Sequence, residues 1–183
     1  RNRSIGAFAT PESTAHFLTQ ATFGPSEAEI EALTGTDASE WFLDQLATPP
    51  SLHLDAHRAY GALEAPGADG DFAERGPLYT FWINALEAED QLRQRMAFAL
   101  SQLLVVSNAD GNELFFFYEG LGYYQDILTR NAFGNYRELL EEVTYAPAMG
   151  FYLTYMGNQK GDPATGRMPD ENYARELLQL FTI

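Results

Sequence analysis

The spacing of the apolar residues limits this chain to a helical fold. Apolar residues recur every three or four positions along nearly all of the sequence, which is the period of one face of an α-helix. No segment alternates apolar and polar residues convincingly enough to require a half-buried strand. We therefore predict an all-α protein, and one domain is the default because 183 residues are enough for one hydrophobic core.

Helix-start signals divide the first part of the chain. Thr10 offers a capping oxygen, Ser26 and Glu29 have the spacing of a capping box, and Asp37 precedes a third apolar face. These signals predict three short helices within residues 11–47.

The most apolar helix is predicted from "DQLRQRMAFALSQLLVV", which begins at Asp90. One stripe of it is apolar, and its second half is apolar almost all round, a pattern typical of a buried helix. The stripe contains Leu92, Met96, Ala99, Leu100, Leu103 and Val106. We expect a helix at about 91–106 to be the buried centre of the bundle.

Other segments predict the remaining helices and two loops. Helices are expected at 52–63, 114–130, 136–143, 145–156 and 170–183. Residues 64–77 are rich in proline, glycine and acid and predict an exposed loop, and residues 157–168 predict a long polar loop.

Charge and composition exclude several functions. Eleven basic and 26 acidic residues give a formal net charge of −15, which would repel nucleic acids. There is no cysteine, so disulfides, thiolate catalysis and cysteine-bound metals are excluded. No apolar run approaches the roughly 18 to 20 residues that cross a bilayer, so no transmembrane segment is expected.

The closing segment "MPDENYARELLQLFTI" (168–183) predicts an amphipathic helix. Glu171, Asn172, Arg175 and Glu176 share its polar arc, with Glu171 four residues before Arg175. Two interpretations stay open: a solvated face with an ordinary ion pair, or the border of a polar site in which a carboxylate is the base and the arginine fixes an anionic group. The segment ends without a capping residue, so we expect the helix to continue and the domain to be incomplete.

Few residues have the spacing of metal ligands. His53 and His57 lie four apart, as ligands on one helix face can, although a surface helix is the preferred interpretation, and His16 is interpreted as structural or surface. Oxygen ligands are available at Asp162 and Asp170, and in the connector that contains Asn108, Asp110, Asn112 and Glu113. A solvated acidic turn is the alternative at both places.

Two further groups of residues have a structural and a functional interpretation. The aromatic clusters at 115–124 and 151–155 are interpreted as core, with stacking on sugar rings as the alternative. Arg93 and Arg95 adjoin the predicted buried helix, so at least one should pair with a carboxylate, for which Glu171 or Glu176 is proposed.

Four segments together resemble the N-terminal part of a known family, the bacterial domain of unknown function 1800. They are "AHFLTQATFGPSEAEIEAL" (15–33), "DQLRQRMAFALSQLLVVS" (90–107), "NAFGNYRELLEEVTYAPAMGFYL" (131–153) and "DPATGRMPDENYARELLQLFTI" (162–183). The resemblance implies a periplasmic or secreted bacterial protein, encoded beside a sulfatase-like secreted protein and longer than this chain. No reaction is established for the family.

Two functions follow as expectations. The first is an exported binding or assembly protein that acts with a sulfatase-like partner on an extracellular polymer such as a polysaccharide. The second is a hydrolase or related enzyme that uses Glu171, Asn172, Arg175 and Glu176 as its polar site.

Overall fold

The computed structural model describes residues 8–63, 71–107 and 118–182 and confirms the all-α prediction for them. The chain forms α1 (Pro11–Ala21), α2 (Glu27–Leu33), α3 (Ala38–Ala47), α4 (Leu54–Gly61), α5 (Asp71–Glu87), α6 (Gln91–Leu103), α7 (Tyr118–Arg130), α8 (Tyr136–Tyr145), α9 (Pro147–Tyr152) and α10 (Asn172–Glu176). A π-helix at Leu177–Phe181 directly follows α10. Within these ranges the β-structure is limited to one isolated bridge, between Asp162 and Arg167.

The predicted helix starts of the first part are confirmed. The Thr10 side chain accepts a hydrogen bond from the Ser13 N–H at the start of α1. Ser26 and Glu29 form the reciprocal hydrogen bonds of a capping box at the start of α2. Such side-chain acceptors satisfy amides that have no partner within the helix, so these starts can be read from local sequence.

The most deeply buried helix is α7 rather than the predicted helix at 91–106. That helix exists as α6, but Met96 and Leu103 of its predicted buried stripe are exposed, at 41% and 56%. The buried positions of α7 fall on several sides of the helix, and they are Leu121, Gly122, Tyr124, Asp126, Ile127, Leu128 and Thr129. Helices α4, α5, α6, α8 and α9 all contact it, which explains burial all round.

A close approach of α4 to α5 and α7 depends on two glycines. The buried His57 ring lies so near Gly76 of α5 that a Cβ there would overlap it. On the other side, a Cβ at Gly122 of α7 would lie 3.4 Å from His57 Nδ1, which is an ordinary contact. Of these two positions, only residue 76 must be glycine, because a larger side chain there would overlap the His57 ring.

The loop predicted at 64–77 is shorter than expected. Residues 64–70 lie outside the described residues, and Asp71 to Pro77 form the first turns of α5. Gly76 and Pro77 are buried, because α5 packs against α4 there. Residues 157–168 form a polar, mostly exposed loop.

The closing helix differs from the regular amphipathic helix that the sequence predicts. It changes from α to π geometry at Leu177, which widens the turn and rotates the later side chains. Leu178 and Leu180, which a regular amphipathic helix would place on its apolar face, are exposed at 71% and 63%. The helix is attached to α8 rather than to α6: the Tyr136 hydroxyl donates to the Phe181 carbonyl at 2.6 Å. The hydroxyls of Thr144 and Tyr173 are also 2.6 Å apart.

Candidate functional site

The predicted polar arc of the closing helix lies mostly in solvent. Glu171 and Arg175 form the expected ion pair, with side chains 75% and 53% exposed. Asn172 donates its backbone N–H to Asp170 Oδ1 at 2.8 Å, and Glu176 is half-buried. The structure therefore joins Glu171 to Arg175, while a catalytic role for the four residues stays a prediction.

The two acidic candidates for metal binding each stabilise a turn. Asp162 accepts hydrogen bonds from the Ala164 N–H at 2.9 Å and the Thr165 hydroxyl at 3.1 Å. Asp170 accepts from the Asn172 N–H and from the Thr154 hydroxyl, and these bonds lower the pKa of its carboxyl. Within the described ranges, no three His, Cys, Asp or Glu residues are grouped so that they could hold a metal ion. The connector with Asn108, Asp110, Asn112 and Glu113 lies outside those ranges.

His53 and His57 are buried, so the prediction that they lie on a surface helix is wrong. His53 is 3% exposed and His57 is 1% exposed, since α5 and α7 cover this side of α4. His16 on α1 is exposed, as expected. Long-range packing decides that His53 and His57 are buried while His16 is exposed, because the local pattern of α4 is no more apolar than that of a surface helix.

His53 belongs to a group of buried polar side chains where α4, α5, α6 and α7 meet, and we call this group the polar centre. Its members are His53, Thr80, Asp90, Arg93, Gln94 and Asp126. His53 directly precedes α4, and α5, α6 and α7 or the residues that cap them contribute the others. The backbone of Ser51, between α3 and α4, is hydrogen-bonded to Asp90 and Gln94 of this group.

Asp126 of α7 binds the start of α4. Its Oδ1 accepts from the backbone N–H groups of His53 at 2.6 Å and Leu54 at 3.4 Å. His53 gives α4 no side-chain cap, so Asp126 replaces the missing local acceptor. Burial raises the pKa of Asp126, while the two backbone hydrogen bonds and Arg130, 3.8 Å away, act in the opposite direction.

Asp90 connects α6 to the segment before α4. Its Oδ2 accepts from the Ser51 N–H and from Gln94 Nε2, both at 3.0 Å, and lies 3.8 Å from Arg93 Nε. Asp90 is fully buried, and in the described part of the chain its Oδ1 has no hydrogen-bond partner. An ionised carboxylate in such a place depends on its neighbours for stabilisation.

The prediction that Arg93 or Arg95 pairs with a carboxylate is confirmed, but the predicted partner is wrong. Arg93 pairs with a carboxylate, but with Asp90 instead of Glu171 or Glu176, and its Nη2 donates to the carbonyls of Leu46 and Thr48. Its guanidinium also lies 4.6 Å from the centre of the Phe133 ring. Arg95 lies over the Phe23 ring at 5.4 Å, so it contacts an aromatic face.

His53 is held neutral in the polar centre. Burial lowers its pKa to about 4, and the hydrogen bond with Gln94 and the charge of Asp90 only partly oppose this. Its Nδ1 lies 3.3 Å from the Thr80 hydroxyl. A neutral imidazole can both donate and accept a hydrogen bond, which suits a site for an uncharged group.

Two spaces adjoin the polar centre. A cavity of about 50 Å³ lies between α5, α6 and α7, with His53, Gln94 and Thr129 in its wall. A groove of about 310 Å³ adjoins it and is lined by apolar side chains together with Ser101, Gln102 and Gln125.

A third space lies on the outer face of α7 and α8. This open groove has a volume of about 430 Å³ and is lined by Tyr123, Glu138, Glu141, Glu142 and Tyr145. Tyr145 is 81% exposed, which makes it one of the most exposed large side chains described. The groove therefore combines two aromatic rings with three carboxylates.

Sequence reasoning missed the polar centre because its members come from segments far apart in the chain. One signal was available: Asp126 and Thr129 fall among the apolar positions of α7, where a polar side chain needs a buried partner. The identity of that partner, the start of α4, is not encoded locally.

These features define an all-α protein with a polar group buried at a four-helix junction and an acidic, aromatic groove on its surface. The chain belongs to the family described as a protein of unknown function (DUF1800), whose model matches residues 16–183, which confirms the resemblance. No curated protein and no solved structure matches the chain significantly. None of the described helices has both the length and the apolar character to cross a membrane.

Proposed function

We propose that the protein binds saccharide segments of an extracellular polymer in the groove between α7 and α8. In this proposal it is an exported binding or assembly protein that acts with a sulfatase-like partner. The observation that supports binding is the lining of the groove, which combines Tyr123 and Tyr145 with three glutamates. Export and the partner rest on the family resemblance.

The groove has the chemistry that a saccharide requires. An exposed tyrosine offers a flat apolar face on which a sugar ring can stack, and its hydroxyl stays in water. Glu138, Glu141 and Glu142 are spaced to share one side of α8, so their carboxylates can accept hydrogen bonds from successive sugar hydroxyls. Because the groove is open, a chain can extend beyond it.

The charge of the groove selects among saccharides. Three carboxylates in the groove and a formal net charge of −15 oppose the binding of a sulfated, anionic chain. The ligand is therefore an uncharged segment, such as the product that remains after a sulfatase-like partner has removed sulfate groups. In this proposal the partner first removes the sulfate groups, and this protein then binds the uncharged saccharide.

Calorimetric titration of the purified chain with a neutral oligosaccharide and a sulfated one of the same backbone tests the proposal. The neutral compound should bind, and the sulfated compound should bind at least about tenfold more weakly. Tyr145→Ala should weaken binding of the neutral compound about tenfold, while Tyr79→Ala on α5 is a control outside the groove.

Three results would count against a saccharide groove: no binding of any neutral oligosaccharide, equal binding of the sulfated one, or unchanged binding by Tyr145→Ala.

The partner is tested separately. A sulfatase-like protein should co-purify with the tagged chain from the native cell envelope, and its absence there would remove that part of the proposal.

The alternative proposal is a hydrolase or related enzyme that uses the closing helix. It is supported by the exposed ion pair of Glu171 and Arg175, which a substrate could reach. If a turnover is detected, Glu171→Gln and Glu176→Gln should each reduce it without unfolding the protein. Full activity in both variants would rule out these carboxylates as catalytic residues.

A further inference from the structure

We propose that the junction of α5, α6 and α7 is a binding site for a small uncharged amphiphile, a molecule with a hydroxyl head group and a short apolar tail. The site consists of the 50 Å³ cavity at its inner end and the 310 Å³ groove that leads outward. Phe81, Ser101, Gln125 and Leu128 line both spaces, so the two are adjacent. This site is separate from the groove between α7 and α8.

The inner end offers hydrogen bonds that the protein does not use itself. Thr129 is fully buried, and both its Oγ1 and the Oε1 of Gln125 are without a hydrogen-bond partner among the residues that the structure describes. Both side chains line the cavity. Leaving such atoms unpaired is costly, and a ligand hydroxyl could donate to the Gln125 oxygen and accept from Thr129.

The surroundings of the cavity favour an uncharged head group. His53 in the cavity wall is neutral. Asp90 accepts a hydrogen bond from the side chain of Gln94, which also lines the cavity, and Asp126 accepts one from the backbone N–H of His53. These carboxylates would repel an anionic head group. Neither of them lines the cavity, so an ammonium group would lose its hydration without gaining a charged partner.

Part of the outer groove suits an apolar tail. Leu78 of α5, Val105 after α6 and Leu121 of α7 line the groove and come from three different elements. Apolar side chains combined with a few polar groups are the usual composition of a small-molecule site. The head group therefore binds near Thr129 and the tail extends outward.

Calorimetric titration with 1-hexanol, hexanoate and hexylammonium tests the site in the folded chain. We expect saturable binding of one 1-hexanol, and binding at least about tenfold weaker for the two charged compounds. Thr129→Val removes the hydroxyl with little change in shape and should weaken 1-hexanol binding about five- to tenfold. Thr129→Ser keeps a hydroxyl and should restore it.

Controls separate this site from the rest of the molecule. Thr19→Val on the exposed side of α1 should bind 1-hexanol as the unmodified chain does. Tyr145→Ala should also leave it unchanged, so failure of the saccharide groove does not affect this test. The proposal is overturned if 1-hexanol shows no saturable binding, if Thr129→Val binds it equally well, or if the charged compounds bind as tightly.

Discussion

The closing helix and the polar centre contain the same kind of ion pair in opposite environments. Glu171 and Arg175 are 75% and 53% exposed, whereas Asp90 and Arg93 are 0% and 11% exposed. In water both partners of a pair are well solvated and the pair adds little to stability. In the interior each charge depends on its partner, so removing one is costly. The stability of the fold should therefore depend on the buried pair of the polar centre and hardly at all on the exposed pair of the closing helix.

The sharpest test of this comparison uses two aspartates at the same distance from an arginine. Asp90 and Asp55 each lie 3.8 Å from an arginine three residues later, but Asp90 is buried and Asp55 is 91% exposed. Asp90→Ala should lower the free energy of unfolding by about 3 kcal/mol, since it leaves Arg93 without its buried carboxylate. Asp55→Ala should change it little. Urea denaturation of both variants gives the answer, and equal effects would contradict the role of burial.

The next largest effect should come from pH. His53 has a pKa of about 4 in the folded chain, below the 6.5 of an unperturbed histidine. Between these values the unfolded chain binds a proton that the folded chain does not. Stability is therefore fully present above pH 6.5 and falls as the pH decreases toward 4, by up to about 1.4 kcal/mol per pH unit.

The contribution of His53 can be separated from that of its neighbours. The raised pKa of Asp126 acts in the opposite direction, because the folded carboxyl takes up a proton at higher pH than the unfolded one. Urea unfolding from pH 7 to pH 4.5 should show a smaller loss of stability in His53→Gln than in the unmodified chain. His16→Gln, in which the residue is exposed, should keep the full slope. Identical slopes in all three proteins would show that His53 is not held neutral.

A packing effect of intermediate size separates the two glycines that face His57. Gly76→Ala places a methyl group on the buried His57 ring and should lower the free energy of unfolding by about 1–3 kcal/mol. Gly122→Ala meets only ordinary contacts and gains helix propensity, so it should be neutral or slightly stabilising. Thermal unfolding of both variants measures the difference. Tolerance of Gly76→Ala would show that α4 and α5 are farther apart than described.

The smallest effect on the free energy of unfolding is expected from removing the exposed ion pair of the closing helix. Glu171→Gln removes the charge of an exposed pair and should lower the free energy of unfolding by about 0.3 kcal/mol or less. High salt should remove even this difference, since exposed charges are screened. A loss comparable to that of Asp90→Ala would mean that Glu171 has a buried partner in the folded protein.

Features that depend on neighbouring residues were predictable. The caps at Thr10, Ser26 and Asp37 act within three residues, and all three mark observed helix starts. The Glu171 and Arg175 pair also follows from spacing on one helix. The π-helix at Leu177–Phe181 was not predictable, because the apolar pattern there fits a regular α-helix equally well.

Features that depend on residues far apart in the chain could not be predicted from the sequence. Asp126 binds the start of α4 across 73 positions of the chain, and Arg93 reaches the carbonyls of Leu46 and Thr48 across 47 and 45 positions. No local pattern states which of several polar side chains will meet which backbone group. The two histidines of α4 were assigned to a surface helix for the same reason.

The sequence by itself determined that this protein is helical, where most of its helices begin, that it is strongly acidic and to which family it belongs. Periodicity, capping and composition are local or additive properties, so they can be read without a structure. Only the tertiary structure decided that α7 is the buried helix, that His53 and His57 lie in the interior, and that Asp90 and Asp126 support the junction around them. Burial depends on which helices pack together, and it is burial that turns an ordinary carboxylate or imidazole into a group on which stability and binding depend.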